Sequence, residues 1–191
     1  MTTAMIKSPG GYYYDAATDG KGETGIGVLW LAAYADPARI TDLLIELISL
    51  MTEPLTVTLE AEIPNLSLKE KFTCRKTSGQ KIKAALKDHR QLIEGDFHFS
   101  LLVEENRDEG RAVYLTQEKF FYIWSDEADS KNPLPSYQPF ETAFSRKGLV
   151  PNEVNFELYD GFDGRRLLQN QPWLFSAEFH DLVQRLKAEK V

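Results

Sequence analysis

The residues that could carry chemistry are few, and most sit in settings that argue against it. Gly20-Lys21-Gly22-Glu23-Thr24-Gly25 spells G-x-G-x-x-G, a pattern that cradles pyrophosphate when a buried strand leads into it and a helix opens inside it. Here the preceding residues are Tyr-rich and polar and the following run reads as a strand, so the pattern is expected to be a flexible glycine loop. Asp15 and Asp19-Gly20 stand at calcium-loop spacing, but Ala17 fills a ligand position and Ile26 stands where the bidentate Glu belongs, which excludes an EF-hand. Cys74 is flanked by Arg75 and Lys76, which favour a thiolate, and His98 or His180 could serve it as a base. Alternation nevertheless places Cys74 on the inward side of a strand with Leu68 and Phe72, so a packing cysteine is expected. The three histidines, His89, His98 and His180, show no metal-binding spacing, His89 reading as a core-edge residue and His98 as an outer-face one. A single cysteine forms neither an internal disulfide nor a thiolate cluster, and no metal or cofactor is expected. Nucleophile-elbow, Walker A, zincin and kinase signatures are all missing.

Charge is more informative. The 191 residues carry 22 Lys+Arg and 29 Asp+Glu, a net charge of −7. Residues 69–90 run against that sign: eight cations face only Glu70 and Asp88, a balance of +6, so the remainder carries −13. Lys83, Lys87 and Arg90 fall on one helical stripe, while Lys76-Thr77-Ser78-Gly79 leads into the positive end of the same helix. Arg75, Lys76, Lys81, Lys83, Lys87 and Arg90 are therefore the candidate anion- or partner-binding set. The plainer alternative is a solvated basic face near Glu60 and Glu62. Extended duplex nucleic acid is a poor partner for a chain of this net charge, which repels phosphate everywhere but at one patch.

The elements that must hold these residues follow from periodicity. Tyr12-Tyr13-Tyr14 predicts a short aromatic strand within a Gly-rich lead-in, residues 1–25, and Ile26 to Tyr34 a buried strand. Asp36 and Pro37 open a helix whose stripe is Ile40, Leu43, Leu44, Leu47, Ile48 and Met51. From Leu55 the period becomes two. Leu55, Val57, Leu59, Ala61 and Ile63 form one face of a strand, and a second strand sets Lys69 and Lys71 against Glu60 and Glu62. A helix from Ser78 uses Ile82, Ala85, Leu86, His89 and Ile93 before Gly95 stops it. Alternation resumes at Phe97 to Val103, followed by a polar loop at residues 105–110 and a meander through Val113 and Leu115. Lys119 to Trp124 carries large side chains on both faces, and burial of both is expected, an exposed aromatic face being the mark of a binding surface. Residues 125–152 read as a long Pro-containing loop, Val154 to Tyr159 as a strand, and a last helix packs Phe175, Phe179, Leu182, Val183 and Leu186 with Ser176 as its cap.

This order predicts one α+β domain over residues 1–191: a largely antiparallel sheet of about six to eight strands with three main helices packed on it. The chain has no apolar run long enough for a membrane helix and no signal-peptide pattern at its start, and one cysteine suits a reducing, cytoplasmic setting. The leading expectation is a non-enzymatic interaction protein, an adaptor or a toxin-neutralising (immunity-like) protein, with a protein partner of acidic character. The alternative is an enzyme or binding domain for a small phosphorylated or carboxylated ligand near residues 75–90.

Overall fold

The alternating stretch from Leu55 folds as its period requires. Leu55, Val57, Leu59 and Ala61 are buried on one face of a strand, while Thr56, Glu60 and Glu62 reach the other. The computed structural model describes residues 10–17, 28–63, 68–95, 98–107, 110–125, 134–151 and 172–191. In chain order the strands are β1 (Gly10–Ala17), β2 (Val28–Ala35), β3 (Leu55–Ile63), β4 (Leu68–Thr77), β5 (Phe99–Glu105), β6 (Arg111–Leu115), β7 (Phe120–Ser125), β8 (Val150–Pro151) and β9 (Glu189–Lys190). They form one sheet in the order β8-β1-β2-β7-β6-β5-β3-β4-β9. Every pairing is antiparallel except that of β1 with β8. The β3–β4 hairpin has the expected register, Glu60 opposite Lys71 and Glu62 opposite Lys69, and the Lys71–Glu60 ion pair closes at 2.7 Å.

The helices are α1 (Ile40–Ser49), α2 (Gly79–Asp88), α3 (Arg90–Gly95), α4 (Leu134–Arg146) and α5 (Pro172–Leu186). Asp36 caps the single 3-10 turn Pro37–Arg39 ahead of α1, its Oδ1 accepting from the Ala38 N–H at 3.0 Å. Ile40, Leu43, Leu44, Leu47 and Ile48 are then fully buried, as their spacing requires. Ser78 caps α2 by accepting the Lys81 N–H at 3.3 Å. One core cluster joins these helices to Leu31, Ala33, Val57, Leu59, Leu101, Val103, Val113, Leu115, Phe121 and Ile123, all from one side of the sheet.

The mixed α+β class holds, but the described residues contain nine strands and five helices, more than the six to eight and three expected. Two of the extra elements are the two-residue strands β8 and β9, which pair across large sequence separations that no local pattern reveals. The helix expected from residue 78 to 95 divides at His89, which turns its Nδ1 back onto the Ala85 carbonyl at 2.8 Å. The stretch expected to be loop holds α4, with Tyr137, Phe140, Ala143 and Phe144 buried at helical spacing despite Pro139. Gly148, at φ 75°, ends that helix, and Leu149 N–H donates to the Phe144 carbonyl at 3.0 Å. Pro172, not Ser176, opens α5, and Ser176 lies within it. The strand expected at 154–159 and the G-x-G-x-x-G stretch fall outside the described residues.

Candidate functional site

The six basic candidates do not converge on one surface. Arg75 and Lys76 are exposed at a bulge in β4, where the pairing steps from Val57–Cys74 to Leu55–Thr77 and Lys76 adopts φ 55°. On α2 the lysines turn opposite ways. Lys81 Nζ donates to the Leu186 carbonyl at 2.8 Å, at the end of α5. Lys83 Nζ donates to Ser49 Oγ at 3.0 Å, at the end of α1. Arg90 donates to Asp42 and, at 3.0 Å, to Glu94. That contact, with help from the fields of Lys147 and Lys87, holds the Asp42 carboxyl below its ordinary range. Lys87 itself is exposed. The positive end of α2 already faces an anion of the chain: Gly79 N–H donates to Glu53 Oε1 at 2.7 Å.

Cys74 is 7% exposed and its thiol donates to the Leu186 carbonyl at 3.0 Å. Neither candidate base reaches it. The His98 ring lies edge-on to Phe175 at 5.9 Å, on the helix side and not on the outer face. His180 lies between Ser176 and Glu70, an arrangement whose residue types resemble a serine hydrolase's. Its Nε2 is 3.1 Å from Glu70 Oε2, and its Nδ1 is 3.2 Å from Ser176 Oγ. That nitrogen is closer still, at 2.7 Å, to the Ser176 carbonyl, which only accepts. The Nδ1 proton is therefore committed to the backbone, and the ring cannot take the hydroxyl proton there. The constellation ties α5 to β4, and Lys190 Nζ completes it by binding Glu70 Oε1 at 2.9 Å. Among the described residues no cluster of three His, Cys, Asp or Glu is placed to hold a metal.

Glu105, which reads as the start of a polar loop, is fully buried at its side chain. Its Oε1 accepts from Thr52 N–H (2.6 Å) and from Arg111 Nε (3.0 Å) and Nη2 (2.6 Å); its Oε2 accepts from Arg107 Nε (2.7 Å) and Arg111 N–H (3.1 Å). Burial pushes the carboxyl upward, but the donors from Arg111, Thr52 and Arg107 outweigh it and hold the group below its ordinary range. Arg111 also donates to the Leu50 carbonyl at 2.8 Å, so the cluster pins the end of α1 to the β5–β6 hairpin.

The surface that the sequence left open is the other face of the sheet. Cross-strand pairing sets Ala32, Tyr122, Tyr114, Leu102, Thr58 and Thr73 in one row, and Trp124, Ala112, Glu104 and Thr56 in the next. All described helices pack against the opposite face, with Phe121 and Ile123 of β7 buried beneath them. Burial of both faces of Lys119 to Trp124 was expected; instead Phe120, Tyr122 and Trp124 are only partly buried. Thr58, Glu60, Leu102, Tyr114, Tyr122 and Trp124 line a depression of about 380 Å³ on this face. Which face the helices cover depends on their docking, so residues 119–124 alone do not reveal it.

No known protein family, curated protein or solved structure matches the chain. Among the described residues no helix is long and apolar enough to cross a membrane.

Proposed function

We propose that this chain is a non-enzymatic interaction module whose partner protein seats an aromatic or aliphatic side chain, flanked by a cation, in the depression on the sheet face opposite the described helices. The observation that carries this reading is the wall of that depression: two tyrosines, a tryptophan and a leucine, all partly exposed, with carboxylates close by. Tyr and Trp supply large contact area at small entropic cost and are enriched where interfaces concentrate their energy. Glu60 is shared with Lys71, whereas Glu104 on the same face has no ion-pair partner among the described residues and is placed to receive the partner's cation. An adaptor and a toxin-neutralising protein are both roles of this kind. The competing reading, a small anionic ligand near residues 75–90, draws support only from Arg75 and Lys76, since Glu53 already faces the end of α2.

The test is a photo-crosslinking side chain placed at position 102, compared with one at position 147 on the helix side. Crosslinking from 102 alone identifies the partner. With that partner purified, Trp124→Ala and Tyr114→Ala are each expected to weaken affinity tenfold or more, about 1.4 kcal/mol, without unfolding the chain. Unchanged affinity in both variants overturns the reading.

A further inference from the structure

Among the described residues, the outer edge of β4 is covered more sparsely than a ten-residue strand requires. Among the described residues β9 pairs with it only at Phe72 and Thr73, and Val191 N–H adds one hydrogen bond to the Lys71 carbonyl at 3.0 Å. An edge left in this state offers backbone donors and acceptors to any strand that fits. At its far end lies a cleft of about 410 Å³ lined by Thr73, Cys74, Arg75, Lys187, Glu189, Lys190 and Val191. Lys190 is engaged by Glu70. Arg75, Lys76 and Lys187 are exposed and form no ion pair among the described residues, and Glu189 is the one side-chain carboxylate of the lining.

We infer that β9 is a placeholder strand and that the edge of β4 accepts an extended, acidic segment of another protein, which displaces residues 189–190 and pairs along β4 with its carboxylates set against Arg75, Lys76 and Lys187. Charge selects the occupant. Lys69, Arg75 and Lys76 lie along the strand with no ion pair among the described residues, while Lys71 is held by Glu60 and Glu70 by Lys190, so two copies of this edge repel each other, whereas an acidic strand is attracted at a cationic site on an otherwise acidic chain. The plainer role of such residues is protection, since lysines and a bulge on an edge strand discourage aggregation. Protection predicts no affinity for anything. This edge adjoins the aromatic depression through β3, where Lys71 pairs with Glu60, but Arg75, Lys187 and Glu189 line no part of that depression, so their variants leave its walls unchanged.

The experiment uses the full chain and an eight-residue peptide alternating Glu and Val, with its Lys/Val counterpart as control. Fluorescence anisotropy reports affinity, and amide hydrogen exchange reports protection at Lys69, Lys71, Thr73 and Arg75. The acidic peptide is expected to bind at least tenfold more tightly than the basic one and to slow exchange on the edge. Arg75→Glu with Lys187→Glu, both on exposed side chains, is expected to abolish that preference. Replacing Glu189 by Pro, which weakens β9 while leaving Lys190 on Glu70, is expected to tighten binding severalfold. Three results overturn the inference: equal binding of the two peptides, binding without edge protection, or full competition by inorganic phosphate, which would make the cleft a small-anion site.

Discussion

The two faces of the central sheet are built from the same strands and differ residue by residue. On β5, Leu101 is fully buried under the helices while its neighbour Leu102 lies partly exposed in the depression. On β7 the same step separates Phe121 and Ile123 from Tyr122 and Trp124. The inner face is aliphatic and aromatic carbon packed against carbon. The outer face mixes tyrosine, tryptophan, threonine and glutamate, side chains that tolerate water and offer hydrogen bonds. That contrast sets the scale of what each mutation should do.

The largest effect belongs to neither face but to the buried charge cluster between α1 and the β5–β6 hairpin. Glu105→Ala leaves Arg111, whose side chain is only 14% exposed, without its carboxylate, and loss of one partner in a buried pair costs about 3–5 kcal/mol. Acid should act through the same group. The folded carboxyl is held below the 4.5 of its unfolded counterpart, so its contribution is complete above that value and disappears as pH falls through the folded one. Urea melts at pH 7, 4 and 3 should show this decline in the wild type and a shallower one in Glu105→Gln. A Glu105→Gln chain with an identical acid limb would remove the cluster from the account.

Next comes the comparison of faces itself. Leu101→Ala is expected to cost about 2–5 kcal/mol by opening a cavity in the packed layer, and Leu102→Ala about 1 kcal/mol or less. Leu47→Ala and Glu46→Ala on α1 repeat the contrast, since among the described residues Glu46 pairs with Lys147 (3.3 Å) and Arg146 (3.8 Å), both at the surface. Equal costs at Leu101 and Leu102 would mean that the outer face is as tightly covered as the inner.

These contrasts mark how far the sequence could be read. Period-two alternation placed Val57, Leu59, Leu101 and Val103 correctly because each side chain's face is fixed by its own strand. The 3.6 period placed α1 for the same local reason, and the start of α2 beside Ser78 was legible. The Glu105 cluster was not legible, because Glu105-Asn106-Arg107 looks like a solvated loop until α1 ends beside it and Arg111 turns inward. The α4 stripe of Tyr137, Phe140 and Phe144 was present in the sequence but hidden by three nearby prolines. Strands β8 and β9 carry no local signal at two residues each. The aromatic face was missed for a different reason: both sides of residues 119–124 are apolar, and only the docking of distant helices decides which side the described helices cover.

A smaller effect is expected at Cys74. With the thiol 7% exposed and donating to the Leu186 carbonyl, iodoacetamide should label the native chain at least a hundredfold more slowly than the urea-unfolded one, the protected fraction tracking global stability. Labelling at comparable rates would show that the end of α5 opens by itself, and would then bear on β9, which follows it directly.

The smallest effect is expected from the basic residues of α2, and it separates charge that is placed from charge that is merely present. Lys87 is exposed, and its described role is the weak field it adds at Asp42, itself 51% exposed. Such a field is screened within about 8 Å at physiological salt. Lys87→Glu should therefore change stability by no more than about 0.5 kcal/mol, with the difference shrinking further at 0.5 M NaCl. Arg90→Ala should cost slightly more, because two carboxylates on two helices lose a shared guanidinium. If recognition runs through the aromatic face, Lys83→Glu with Lys87→Glu leaves the affinity of the crosslinked partner within about twofold after correction for salt, while Trp124→Ala does not. The opposite ranking, a strong loss on reversing the lysines and none on removing the tryptophan, would move the binding surface from the sheet to α2 and restore the stripe of like charge as the functional element of the chain.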